Sequence, residues 1–172
     1  MVSELAGGEV IHRDRWSLQT AEVKHVQPHR ISLAYRLDAG THSLVFSGDT
    51  APAERLTRLA QGTDVLLHMC HFVNGLVVDG HGTDPRLTAC CSGHLDAART
   101  ARDAGVKTLV LVLLTEQFDR PGIRERVVHE AAQIFDGNII LGQDLLDVPL
   151  DAIEPTMSIE KGAGGWSEHT PA

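Results

Sequence analysis

Long apolar runs, clustered basic residues and paired cysteine motifs are all missing from this sequence, and each absence excludes a class of protein. No stretch of the 172 residues reaches the roughly 18 apolar residues that a membrane span requires. The net charge of -8, with 15 lysines and arginines scattered along the chain, argues against a surface that binds nucleic acid through its phosphates. The remaining composition, 42% hydrophobic and 22% charged, is typical of a globular domain.

Cysteine is also scarce. The three cysteines are Cys70, Cys90 and Cys91, and no two of them form a Cys-x-x-Cys pair. This number and spacing predict neither a disulfide framework nor a zinc knuckle, and they favour a reducing cytoplasm. The first residues lack the basic-then-apolar order of a signal peptide, so we expect an unexported protein. Vicinal cysteines rarely chelate one metal comfortably, so we interpret Cys90 and Cys91 as packing or loop residues.

Three short strands with turn residues between them follow an N-terminal lead-in at residues 1–19. Alternating apolar residues and the separating Pro-His and Ala-Gly-Thr turns predict strands at 20–27, 30–38 and 42–47. We expect them to form an antiparallel meander at the start of a domain that spans residues 20–150.

From residue 52 onward the pattern alternates between helix and strand. Helical periodicity appears at 52–62, 93–105 and 121–137, and apolar strands appear at 63–72, 106–117 and 138–142. This alternation predicts a layered α/β domain whose helices cover one face of the sheet. Residues 73–90 read as a long glycine-rich loop, and residues 151–172 read as a disordered tail.

The candidate functional residues stand where predicted strands end. His25, Asp49, and the pair His68 and His71 each follow or end a strand, and His94 begins a helix. Imidazoles and a carboxylate at one sheet edge are the donors of a hydrolytic zinc centre, because zinc supplies hydroxide near neutral pH.

Structural interpretations compete with these assignments. Asp49 and Thr50 precede Pro52, so Asp49 reads equally well as a helix cap. His68 ends a buried strand and reads as a hydrogen-bonded structural histidine, and His129 reads as a surface or packing residue of an amphipathic helix.

The order of several motifs resembles the second half of metallo-β-lactamase-fold hydrolases, in the branch of ribonuclease Z and arylsulfatase-like enzymes. The resemblance covers Thr20 to Leu150 and rests on five segments in order: "VKHVQP", "AYRLDAGTHSLVFSGDTAP", "TDVLLHMCHF", "SGHLDAARTARDAGVKTLVL" and "TEQFDRPG". It implies an α/β fold, the second half of an αββα sandwich that lacks the N-terminal half.

The resemblance also implies roles for particular residues. Asp49 matches an aspartate that bridges two zinc ions, and His25 matches a histidine ligand of the first zinc. His94 matches a catalytic histidine that acts on the leaving group. Tyr35 and Arg36 match a strand signature and are expected to be structural.

Two features of the family are missing from this sequence. The His-x-His-x-Asp-His motif of the metal site does not occur, and Leu113 stands where a ligand histidine of the second zinc is expected. Only His25 and Asp49 remain of a site that takes three or four protein ligands for each zinc. We therefore expect weak zinc binding or none, although the family uses two zinc ions.

Three functional hypotheses follow. The chain is part of a metal-dependent hydrolase, or it is a metal-free relative that acts as a binding or scaffold protein, or it is a half-domain that assembles with another chain. Phosphodiesters, sulfate esters, lactones and lactams are all possible small-molecule substrates, because fold does not determine substrate. We expect no membrane or nucleic-acid partner, and we expect self-association through the uncovered sheet face.

Overall fold

A computed structural model describes residues 4–25, 30–78, 80–148 and 150. Its seven strands are β1 (Val10–His12), β2 (Trp16–Val23), β3 (Ser32–Ala39), β4 (His42–Phe46), β5 (Val65–Met69), β6 (Thr108–Val112) and β7 (Asn138–Leu141). Its four α-helices are α1 (Glu54–Leu59), α2 (Pro85–Thr88), α3 (His94–Ala104) and α4 (Ile123–Ala132).

The seven strands form one mixed sheet in the order of the chain. Strands β1 to β4 pair antiparallel, and β4 to β7 pair parallel. The β3–β4 connection needs only the two residues Gly40 and Thr41, and Gly40 has the positive φ that such tight hairpins require. The parallel strands instead need longer connections, which contain the helices. The predicted meander and the α/β class are both confirmed.

The main hydrophobic core lies between one sheet face and helices α1, α3 and α4. Val45, Leu66 and Leu109 are paired neighbours in register on β4, β5 and β6, and all three are buried. Small residues of α3, including Ala97 and Ala101, pack against this face and let the helix approach closely. The prediction that the helices cover one sheet face is confirmed.

The opposite sheet face carries a row of apolar side chains. Register pairing places Leu37 beside Leu44, and Tyr35 beside Phe46, on this face. Phe46 is 46% exposed and Leu37 is 36% exposed. We call the residues Tyr35, Leu37, Leu44 and Phe46 the open face.

A buried carboxylate holds the amino ends of β4, β5 and β6 together. Asp64 accepts hydrogen bonds from the Ser43 backbone N–H at 2.7 Å and from Lys107 Nζ at 2.6 Å. Burial opposes ionisation of Asp64, but these hydrogen bonds outweigh it and hold the pKa of the carboxyl below its usual range. The clamp fixes the register of the strands whose opposite ends carry the candidate site.

Two predicted boundaries need correction. The sheet begins at Val10, so the segment 1–19 contains β1 and the start of β2 and is more than a lead-in. The segment 73–90 is also not entirely loop, because Pro85 and the capping carboxylate of Asp84 start the short helix α2. The disordered tail predicted at 151–172 lies outside the described residues.

The described helices are short, and α3 is the longest of them at 11 residues. None of them has the length and apolar character of a membrane span.

His68 is fully buried on the helix-facing side of β5. Its Nδ1 contacts the Met69 carbonyl oxygen at 2.8 Å, so this nitrogen carries the proton and donates it. Nε2 is buried without a hydrogen-bond partner. Burial lowers the pKa of His68 from its ordinary value of 6.5 to about 4. The hydrogen-bonded structural histidine expected from the sequence agrees with this geometry.

This burial predicts a pH-dependent stability. Between pH 6.5 and 4 the unfolded chain binds a proton at His68 that the folded chain does not, so the free energy of unfolding falls with falling pH. The full shift corresponds to about 3 kcal/mol. Urea unfolding at pH 7 and pH 4 measures it: we expect His68→Leu to lose most of this pH dependence, and His129→Ala, at an exposed position, to keep it. Equal pH dependence in the wild type and His68→Leu would contradict the assignment.

Candidate active site

The carboxyl ends of β2, β4, β5 and β6 lie at one edge of the sheet. Strand β3 runs antiparallel to both β2 and β4, so β2 and β4 point the same way. Strands β5 and β6 continue parallel to β4. Because the residues that follow these strands meet at one edge, the topology brings His25, Asp49 and Leu113 to the same side of the domain.

After β4, a turn at a glycine leads the chain to this edge of the sheet. Gly48 has a φ of +59°, and a Cβ there would lie 2.7 Å from the Leu33 carbonyl oxygen. Ser47, before it, is fully buried and accepts a hydrogen bond from the Met69 backbone N–H at 3.0 Å. The turn that presents Asp49 therefore depends on Gly48, which has no side chain, and on the Ser47 hydroxyl, which is hydrogen-bonded to the neighbouring strand β5.

Asp49 and His25 face each other on either side of the amino end of β3. Its Oδ2 lies 4.0 Å from His25 Nε2, and the side chains of Asp49 and His25 are 51% and 27% exposed. The N-cap of α1 is Ala53, four residues further along, and that cap has no side-chain hydrogen bond. The helix-cap interpretation of Asp49 is therefore wrong.

A backbone carbonyl orients the His25 ring. Nδ1 lies 2.8 Å from the Cys90 carbonyl oxygen, which can only accept, so Nδ1 carries the proton. Nε2 then keeps its lone pair and is the nitrogen near Asp49. Histidine ligands of metals are commonly oriented in this way, by donating their other ring N–H to a carbonyl.

Two buried thiols lie beside His25. Cys90 and Cys91 are each 6% exposed, and their sulfurs are 3.5 Å apart. A ring nitrogen of His25 and the two sulfurs all lie within 4.8 Å of one another. Burial, together with the thiol of Cys90 and the charge of Asp49, raises the pKa of the Cys91 thiol to about 12. Without a cation beside it, this thiol is protonated at neutral pH.

Leu113 follows the end of β6 with an unusual backbone conformation. Its φ of 58° is in the left-handed region, and its side chain is 51% exposed. For a leucine this conformation costs on the order of 1–3 kcal/mol, and such strain is concentrated at functional sites. Leucine has no lone pair to offer a metal, so Leu113 contributes no ligand at this edge.

His94 lies inside the protein, between α3 and α4. Its Nδ1 accepts a hydrogen bond from the Asn74 backbone N–H at 3.2 Å, and its Nε2–H donates to Glu130 Oε2 at 2.7 Å. The side chain is fully buried, and burial lowers the pKa of the ring. Both ring nitrogens are engaged within the protein, which is also the geometry of a structural histidine. The leaving-group role implied by the resemblance stays a prediction.

The other strand-end histidine, His71, also stays partly inside the protein. Its backbone N–H donates to the Ser92 carbonyl oxygen at 2.9 Å, and its Nδ1 is buried without a hydrogen-bond partner. The structure thus brings together His25 and Asp49 from the predicted set, and it adds Cys90 and Cys91. The adjacency of the two cysteines was the only sequence signal for them, because 65 residues separate His25 from Cys90.

Comparison with known proteins identifies relatives of this chain. Ribonuclease Z of Mycobacterium avium is 35% identical over 156 residues, which cover 88% of this chain and 53% of the relative. Ribonuclease Z of Mycobacterium tuberculosis is 32% identical over 147 residues, covering 84% of this chain and 52% of the relative. The chain thus spans about half the length of these curated relatives. No protein-family model matches it.

A solved structure agrees on the fold. The metallo-β-lactamase fold protein YhfI from Bacillus subtilis superimposes with a TM-score of 0.65 at 19% identity. The match covers 81% of this chain and 52% of YhfI. It supports the predicted fold, with the described layer corresponding to about half of a metallo-β-lactamase-fold protein.

The buried contacts of His94 give a prediction about stability. Glu130→Ala removes the acceptor of the His94 Nε2–H and of Arg126 Nε, which contacts Glu130 Oε1 at 2.8 Å. Leaving a buried donor unpaired costs about 1–3 kcal/mol. We expect urea unfolding to show a loss of this size. Glu125→Ala, at an exposed position of the same helix, is the matched control, and an equal loss in both variants would contradict the network.

Proposed function

Because the chain belongs to the metallo-β-lactamase-fold superfamily and is similar in sequence to ribonuclease Z, we propose that it provides one αβ layer of a metal-dependent hydrolase. The observation that carries the proposal is the pair of Asp49 and His25, with Nε2 and Oδ2 4.0 Å apart at the carboxyl edge of the sheet. A carboxylate and an oriented imidazole at such an edge are first requirements of a hydrolytic metal centre.

The described residues fit such a centre only in part. Asp49 is half exposed and His25 has an available lone pair, so both can reach an ion. They are two donors where a catalytic zinc takes three from the protein, and Leu113 supplies none. The proposal therefore requires ligands from a second αβ layer that carries the His-x-His-x-Asp-His motif. A bound ion would supply activated water, and this chain would hold it through Asp49 and His25.

We propose a phosphodiester or a related ester as the substrate class. The similarity to two ribonuclease Z proteins supports this choice, since the name denotes cleavage of a nucleic-acid phosphodiester. The net charge of -8 counts against a large RNA held by this layer alone. A cytoplasmic location, predicted from the sequence, is part of the proposal.

A metal-free binding or scaffold protein is the second candidate function, and Leu113 favours it. The left-handed backbone at this position persists although the side chain there cannot bind a metal. This combination is what loss of a ligand from a formerly functional edge would leave behind.

Restoring the missing donors tests the two candidates. The test uses a fusion protein in which a layer with the His-x-His-x-Asp-His motif precedes this chain. We expect this fusion to hydrolyse bis(p-nitrophenyl) phosphate when zinc is added, and we expect Leu113→His to raise its rate. Leu113→His in the isolated chain should yield no activity. Asp49→Ala in the fusion should lower the rate by at least about 100-fold, because loss of even an outer partner of a ligand costs 10–100-fold.

Asp14→Ala is the control for that experiment, because Asp14 is exposed at the opposite edge of the sheet, just before β2. A fusion that folds and stays inactive with and without Leu113→His would favour the metal-free candidate. Full activity in Asp49→Ala would refute the assignment of Asp49 as a ligand.

The open face supports the further proposal that the isolated chain self-associates. Phe46 and Leu37 are exposed beside Leu44, and neighbouring apolar side chains of this kind favour burial against a partner. In the proposed hydrolase the second layer would take this place.

We expect light scattering at increasing concentration to show dimers or larger species of the wild-type chain. Phe46→Lys should shift the association to at least about tenfold higher concentration, because an interface would have to bury the new charge. Val77→Lys is the matched control, since Val77 is 63% exposed but lies outside the sheet. A wild-type monomer at every concentration would contradict the proposal.

A further inference from the structure

The two buried thiols beside His25 have no part in the proposed hydrolysis. Cys90 and Cys91 pack with Met69, Phe72 and Leu87 in a small apolar cluster, apart from the main core. Packing explains their burial, and in addition both sulfurs and a nitrogen of His25 lie within 4.8 Å of one another. Thiolate and imidazole together are the donors that zinc prefers in proteins.

The spacing of the two sulfurs suits chelation of one ion. They are 3.5 Å apart, and two thiolates at the usual zinc–sulfur distance of about 2.3 Å then subtend an angle of about 100° at the metal. That angle is close to the tetrahedral value. The sequence-based expectation that vicinal cysteines chelate poorly stays a prediction, and the proposed site is its alternative.

His25 supplies the third donor of the site. Its ring is oriented through its Nδ1–H by the carbonyl of Cys90 itself, which leaves the Nε2 lone pair available. Two sulfurs and one nitrogen are soft and borderline donors, and such donors favour zinc over magnesium or calcium.

We propose that Cys90, Cys91 and His25 form a zinc site in which the two vicinal thiolates are the principal ligands. Zinc binding displaces the thiol protons to solvent and ties the Cys90–Cys91 segment to the end of β2. All three ligands come from this chain. The site shares His25 with the proposed hydrolase, but its two thiolates have no part in the proposed hydrolysis. The sequence-based expectation of weak zinc binding counted only His25 and Asp49.

Cobalt substitution of the wild-type chain tests the thiolate ligands directly. The protein is freed of metal with a chelator, kept reduced with a phosphine, and titrated with cobalt(II). We expect one equivalent to bind with an intense near-ultraviolet sulfur-to-cobalt charge-transfer band, and equimolar zinc to remove that band. Absence of the band in a folded protein would overturn the proposal.

Variants separate this site from other modes of metal binding. We expect Cys90→Ser and Cys91→Ser each to weaken zinc binding by at least about tenfold in competition with a chromophoric chelator. Cys70→Ala should leave the affinity unchanged, because Cys70 is buried in the main core, outside this cluster. Zinc should also raise the melting temperature of the wild type and of Cys70→Ala more than that of the other two variants.

The outcomes distinguish this proposal from the proposed function. Zinc binding that needs Asp49 and His25 but is indifferent to both cysteines would refute the thiolate site and leave the hydrolase proposal standing. Zinc binding that needs the cysteines, in a chain whose fusion stays inactive, would support the thiolate site and refute the hydrolase.

Discussion

The parallel pairing of β4, β5 and β6 brings Asp49 and Leu113 to one edge of the sheet, and the antiparallel β3 brings β2 and His25 to the same edge. Parallel strands have their carboxyl ends at the same edge of the sheet, so the turns that follow them lie close together. The register of that pairing is held at the other end by Asp64, which binds Ser43 and Lys107. A shift of one residue would turn Val45 out of the core and move Asp49 away from His25.

The two histidines predicted as a metal ligand, His25, and as a catalytic residue, His94, differ in what their ring nitrogens can do. His25 uses one nitrogen to hold its orientation and keeps the other available, which is the state of a metal ligand. His94 uses both nitrogens inside the protein, which is the state of a buried structural residue. Residue type and position at an element end were the same in both cases, and only the contacts distinguish them.

The two proposed zinc sites differ in their exposure to solvent. Asp49 is half exposed and lies at the same edge as the strained turn at Leu113. The thiols of Cys90 and Cys91 are buried. Both proposed sites include His25, so metal binding and hydrolysis need separate measurements in this protein.

The sequence by itself determined most of the elements and the meander, because period-2 and period-3.6 patterns and turn residues are local signals. It placed the ends of β2, β5 and β6 three to five residues too late. It also predicted Asp49 at the sheet edge, and Gly48 explains that turn through its positive φ. Local signals missed α2 and β1, which are too short for a period to show.

Only the tertiary structure decided that the Cys90–Cys91 segment folds back onto His25 and that His94 turns inward to Glu130. These contacts join residues 65 and 36 positions apart. They depend on packing around Met69 and Phe72 and between α3 and α4, and no pattern in neighbouring residues encodes such packing.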